Sequence, residues 1–146
     1  MKREKLEQIL LQVQKPAQYI GGELNSVMKD KTRVDCRLAF CFPDKYEVGM
    51  SHLGMKILYS LYNQRENWWC ERVFAPDADM EALLRKEGEP LYALESLDPI
   101  KDFDFILLPR LNHNVPADPY FIRRKMDFFT RWLLCEEPPA EYRFPR

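Results

Sequence analysis

The densest group of chemically capable side chains lies in Phe42-Pro-Asp-Lys-Tyr-Glu-Val-Gly-Met-Ser-His-Leu-Gly, residues 42–54. Asp44, Tyr46, Glu47, Ser51 and His52 sit there beside Gly49 and Gly54. An apolar strand pattern precedes this segment and a helical pattern follows it. In an open α/β sheet that position is the crevice beyond the carboxyl ends of the strands, where ligands bind. The N-terminus of the next helix would offer N–H groups to an anion, and Asp44, Glu47 and His52 have the chemistry of acid–base groups. The competing reading is a long surface loop whose polar groups cap the following helix. The segment matches neither G-x-G-x-x-G nor G-x-x-x-x-G-K-[ST], which argues against a dinucleotide or nucleoside triphosphate site.

Other reactive groups point to structure. His52 and His113 are the two histidines, and neither belongs to H-E-x-x-H. Cys36, Cys41, Cys70 and Cys135 form no C-x-x-C and no C-x-x-x-C-x-x-C, so no metal or cluster site is expected within the chain. Cys36 and Cys41 are five apart on a strand and should face opposite sides. Cys70, between Trp69 and Glu71, reads as a small buried hydrophobe. Asp77, Asp79 and Glu81 suit the first turn of a helix, where carboxylates complement the dipole. Arg123, Arg124 and Lys125 beside Tyr120, Phe121 and Phe128 read as a solvated helix face, since 22 basic and 23 acidic residues leave a net charge of −1. No nucleic-acid partner is expected from such a balance.

The elements that must position these groups follow from periodicity. Residues 2–14 place Leu6, Ile9, Leu10 and Val13 at helical spacing, ended by Pro16, and a glycine-bearing loop covers 19–25. Residues 33–42 alternate and then run apolar, which predicts a strand. From Leu53 the period lengthens, and Leu53, Ile57, Leu58, Leu61 and Tyr62 form an expected core stripe on a helix to Asn63. Residues 68–75 predict a second strand, interrupted by Glu71 and Arg72. Pro76-Asp77 opens a third helix with Met80, Leu83 and Leu84 inward and Gly88 just past its end. Residues 90–94 and 103–108 predict two more strands. Strands alternating with helices of this length imply βαβ units and a mostly parallel sheet. The expected fold is α/β, three-layer and Rossmann-like, with an incomplete sheet, an N-terminal helix and an irregular or helical C-terminal tail.

One domain fits the length of 146 residues. No apolar run reaches membrane-spanning length and the N-terminus lacks a signal-peptide core, so a soluble, cytoplasmic chain with reduced thiols is expected, without a membrane partner. One break divides it. All five glycines lie at or before Gly88, whereas six of the eleven prolines lie at or after Pro109. Residues 1–108 therefore read as the α/β domain and 109–146 as an atypical, Pro-rich tail.

Five stretches occur in an order that resembles a known family. They are Tyr19-Ile-Gly-Gly-Glu-Leu-Asn-Ser, Phe42 through Gly54, Trp69-Cys-Glu-Arg-Val-Phe-Ala-Pro with Met80-Glu-Ala-Leu-Leu, Leu94-Glu-Ser, and Asp102-Phe-Asp. Over roughly residues 17–106 the chain is similar to the N-terminal region of radical S-adenosylmethionine (radical SAM) proteins that carry a cobalamin-binding-type domain. The resemblance implies a Rossmann-like domain whose partner is a radical SAM barrel. It also implies, for the parent family, S-adenosylmethionine, a [4Fe–4S] cluster held by C-x-x-x-C-x-x-C, and cobalamin. That cysteine motif is absent here. So is the cobalamin-ligating D-x-H-x-x-G, because His52-Leu-Gly54 has a different spacing and no aspartate two residues before it. No cofactor is therefore expected in this chain, and no residue is assigned as catalytic or metal-binding.

The resemblance stops after Phe103-Asp-Phe-Ile. Residues 118–135 can be drawn as a helix with Ile122, Met126, Phe129 and Leu133 on one face, and the remainder lacks periodicity. The tail is expected to be out-of-frame translation or a divergent terminus, and either to dock on the sheet or to drive self-association. The leading functional reading is a truncated N-terminal module without a complete active site. The second is a free-standing module that binds a small ligand at 43–54, and the third an independent acid–base enzyme using Asp44, Glu47 and His52.

Overall fold

The strand and helix periods locate most of the elements. The structure, a computed structural model, describes residues 2–108. Helix α1 spans Arg3–Leu10, and a 3-10 turn follows at Pro16–Tyr19. Strand β1 spans Cys36–Phe42, helix α2 Tyr46–Ser51, helix α3 Leu53–Asn63, strand β2 Trp68–Phe74 and helix α4 Ala78–Glu87. A second 3-10 turn at Ile100–Asp102 leads into strand β3, Phe105–Leu107. β1 is central. It pairs in parallel with β2, from Cys36 opposite Trp68 to Phe42 opposite Phe74, and in parallel with β3, from Leu38 opposite Phe105 to Phe40 opposite Leu107. The fold is α/β with an open parallel sheet and an N-terminal helix.

Because side chains alternate along a strand, β1 feeds two cores. Leu38 and Phe40 join Cys70 and Phe74 of β2 and meet Met55 and Tyr59 of α3. Ala39 and Cys41 join Val73 on the other face and pack with Leu91, Ala93, Ile100 and Phe103. Cys36 and Cys41 thus contribute to opposite faces, as their spacing requires. A third cluster unites Leu6 and Ile9 of α1 with Met80 and Leu84 of α4, joined by Tyr19 and Tyr92.

Four expectations are corrected. The polar segment 42–54 is not one loop, because it contains α2 and the start of α3. Helix α3 is rotated from the expected stripe: Met55 and Tyr59 face the sheet, while Leu53, Ile57, Leu58 and Leu61 are exposed. The tyrosine decides this orientation, since its hydroxyl takes the Val27 N–H at 2.8 Å and its ring lies 4.5 Å below the Arg72 guanidinium. Glu71 and Arg72 do not interrupt β2 but lie buried within it. Residues 90–94 form no strand, only an isolated antiparallel bridge between Tyr92 and Pro99. The Glu95 carboxylate takes the Arg72 N–H that a neighbouring strand would have bonded, and the chain turns back at Leu97, whose φ is 61°.

The outer edge of β2 is closed group by group. Trp68 N–H donates to the Arg65 carbonyl, and the Trp68 carbonyl accepts from Lys29 Nζ. The Asn63 amide accepts from Cys70 N–H and donates to the Cys70 carbonyl, at 3.0 and 2.9 Å. Arg72 N–H donates to Glu95 Oε2 at 2.7 Å, and its carbonyl accepts from Leu94 N–H at 2.9 Å. Unpaired strand edges recruit other strands, and side-chain capping prevents it here.

No helix among the described residues is long and apolar enough to cross a membrane. The expectations for 109–146, including the helix at 118–135, its docking or self-association, and the readings of His113, Cys135 and Arg123–Lys125, lie outside the described residues.

The orientation of α3 is directly measurable. Met55→Ala, at a site 2% exposed, should lower unfolding stability by about 2–5 kcal/mol, the range for emptying a buried methionine position. Ile57→Ala, at a site 57% exposed, should stay within ~0.5 kcal/mol. Urea midpoints at constant slope report both, and the reverse order would restore the leucine stripe to the core.

Candidate functional site

The residues nominated from sequence each find a nearby partner. Asp44 Oδ1 accepts from the Lys45 N–H at 2.7 Å, and its carbonyl accepts from Ala75 N–H. Glu47 receives the Lys15 ammonium at 2.6 Å, and that bond holds its carboxyl below the ordinary range. Ser51 Oγ donates to the Val48 carbonyl at 2.8 Å. His52 Nδ1 accepts from Met55 N–H at 3.2 Å, so the imidazole is the N-cap of α3, with its ring 5.2 Å from that of Phe42. No side-chain hydrogen bond or ion pair among the described residues joins any two of the five. Tyr46 alone of them is half-buried, packed edge-on against Phe74 at 5.5 Å. Burial and the adjacent Glu23 carboxylate raise its phenol. Gly49 lets α2 lie this close: a Cβ there would fall 2.2 Å from the Phe74 ring.

Tyr46 leads to the feature that sequence reading missed. Consecutive residues of a strand face opposite sides, so Glu71 and Arg72 send one charge to each face of the sheet. On the α3 face, Arg72 Nε and its backbone N–H bind the two oxygens of Glu95 at 2.7 Å each. Its Nη2 donates to Ser26 Oγ at 2.8 Å and to Glu23 Oε2 at 3.3 Å, and Nη1 lies 3.5 Å from Met50 sulfur. The guanidinium stacks on Tyr59. Burial raises the Glu95 carboxyl, with Arg72 opposing. One cation here faces two carboxylates, and Glu23 Oε1 is buried without a hydrogen-bond partner.

On the other face Arg37 plays the matching part. Its Nε and Nη2 donate to Glu71 Oε1, its Nη2 also to Ser96 Oγ, and its Nη1 lies 2.9 Å from Asp98 Oδ2. The guanidinium sits between the rings of Phe103, at 4.3 Å, and Trp69, at 5.2 Å. Glu71 Oε2 accepts from Ser96 N–H at 3.0 Å, and Lys31 adds a second cation beside Asp98. Burial raises the Glu71 carboxyl. Glu95 and Ser96 are adjacent, so one turn serves both networks. The clue available in the sequence was a charged pair inside an otherwise apolar strand.

The arrangement positions backbone: Arg72 and Glu71 hold the turn at Glu95 and Ser96 against the sheet. A cavity of about 20 Å³ lined by Tyr19, Tyr46, Phe74, Met80 and Tyr92 has room for one water molecule. No group of three or more His, Cys, Asp or Glu among the described residues could hold a metal. Burial pushes the Cys41 and Cys70 thiols up to about 12, the opposite of what a thiolate ligand needs. His52 spends Nδ1 on a helix cap. The described residues therefore do not fit a [4Fe–4S] cluster or a histidine-ligated cobalamin.

Removing one member of a buried pair strands the other, so Arg72→Ala should cost about 3–5 kcal/mol. Arg72→Met combined with Glu95→Met and Glu23→Gln should regain part of that loss, because both carboxylates that face the guanidinium are then gone and no unmatched charge is left. Glu47→Gln, which breaks an exposed pair, should cost ~0–1 kcal/mol. Chemical denaturation checks all three, and an Arg72→Ala chain as stable as the parent would show the network to be idle.

Comparison with known proteins covers the later stretches. No curated protein and no solved structure matches the chain. Residues 54–112 match the family model described as radical SAM proteins, N-terminal, a similarity that takes in α3 from its second residue, β2, α4, Glu95 and β3. The match starts at Gly54, so residues 19–26 and nearly all of 42–54 lie outside it, and it runs past Ile106 to residue 112.

Proposed function

We propose that this chain is the N-terminal, cobalamin-binding-type module of a radical SAM protein, a scaffold that acts with a radical SAM barrel domain and is not catalytic alone. The match over residues 54–112 carries the radical SAM part of this reading, and the cobalamin-binding type rests on the resemblance of the sequence stretches. The architecture supports it, since two stretches inside the match supply Arg72 and Glu95 to one network, which Glu23 joins from the earlier stretch that carries the resemblance. S-adenosylmethionine and the iron–sulfur cluster belong, in this reading, to the barrel. Cobalamin, if the parent protein uses it, needs a ligand other than His52. The part of this module is to present a pinned parallel sheet. The change of composition in the tail fits a reading in another frame beyond residue 112, where the match ends, and translation of the coding DNA past that codon in the other two frames should give a family-like continuation.

The chain itself should behave as a module without cofactors. After anaerobic treatment with iron and sulfide and desalting, it should retain no cluster absorbance. Its melting temperature should not move with S-adenosylmethionine or hydroxocobalamin, because a ligand at 100 Kd would add about 2.7 kcal/mol to stability. Retained cluster, or a rise in melting temperature with either compound, would overturn the cofactor-free part of the reading and assign that cofactor's site to this chain.

A further inference from the structure

Residues 21–28 cross the α3 face and the closed edge of β2 with little apolar anchorage. Ile20, Leu24 and Met28 are exposed, Leu24 almost completely at 99%. Val27 supplies the apolar contact, beside the core around Phe40 and Tyr59. The other ties are polar. Val27 N–H donates to the Tyr59 hydroxyl at 2.8 Å, the Trp69 indole N–H donates to the Val27 carbonyl at 2.9 Å, and Ser26 and Glu23 meet Arg72. At one end Gly21 and Gly22 have φ of 68° and 80°, a left-handed conformation that other residues enter at a cost. At the other end Lys29 is fixed by the carbonyls of Asn63, Arg65 and Trp68.

The two carboxylates on Arg72 are held unequally. Glu95 has both oxygens bonded at 2.7 Å, whereas Glu23 reaches the guanidinium at 3.3 Å and leaves Oε1 buried and unbonded. A segment with few apolar contacts and an unsatisfied buried acceptor belongs to the low-stability end of a structure. We propose that residues 21–28 are a strap that opens independently of the sheet, hinged at Gly21–Gly22 and latched by Glu23 and Ser26 on Arg72. Opening leaves the Arg72–Glu95 pair intact and bares one side of the guanidinium, together with Tyr59 and the Trp69 edge. The strap thereby gates access to the one cation on this face of β2.

Hydrogen exchange of the full chain, followed by mass spectrometry, tests this. The amides of Ser26 and Val27 should exchange at least ~10-fold faster than those of Leu38 to Cys41, through local opening. Gly22→Ala adds a Cβ that meets nothing within 4 Å, so its effect is confined to the positive φ. It should speed strap exchange by about 5- to 30-fold and leave the sheet unchanged. Glu23→Ala should do the same through the latch, by about 10-fold. Strap and sheet amides exchanging at one rate in the parent chain would overturn the proposal. So would either variant accelerating both regions equally, because the segment would then open only when the whole domain unfolds.

Discussion

Two adjacent, opposite charges buried in one strand govern much of this domain. Glu71 and Arg72 cannot reach each other, because the pleat sends them to opposite faces. Each must be matched separately, and an unmatched charge in such a place is strongly destabilising. Arg37 crosses from β1 to meet Glu71, and Glu95 comes from the far side of α4 to meet Arg72. These requirements hold the turn at 95–98 against the sheet and give the chain before β3 its irregular course. A pair of apolar residues would pack about as well. What the charges contribute is position, since a guanidinium fork accepts few geometries.

The fold was largely legible because most of its information is local. Leu6 and Ile9, the alternation through Phe40, and Met80 with Leu84 each identify an element and its buried side within a dozen residues. Helix α3 shows where local reading fails. Counting leucines and isoleucines selects one stripe, yet the helix turns on Tyr59, whose value lies in a hydroxyl partner 32 residues away and a cation in β2. Residues 90–94 failed for a related reason: the Arg72 N–H that would extend their ladder is taken by the Glu95 side chain, and a strand pattern carries no sign of that.

The site was less legible. Polar density at 42–54 is real, but Asp44, Glu47, Ser51 and His52 act within their own turn or with one neighbour. The charges that organise the interior are dispersed, with Glu23, Arg72 and Glu95 brought together only by the completed fold. Glu71 and Arg72 were visible as a break in an apolar run. A break of that kind inside a strand is better taken as a demand for partners than as the end of the strand. The stretches Gly21-Gly22-Glu23 and Leu94-Glu95-Ser96 supply those partners for Arg72, and the second also supplies Ser96 to Glu71.

The capped edge of β2 gives the sheet a direction of growth. Its outward N–H and C=O groups at residues 68, 70 and 72 are already engaged by side chains and turns, so this border is sealed against any further strand. Among the described residues, β3 is the border left open to an added strand. Enlargement of this architecture is therefore one-sided: new strands extend the row away from Arg72, and the two ionic clusters keep their surroundings however many are added.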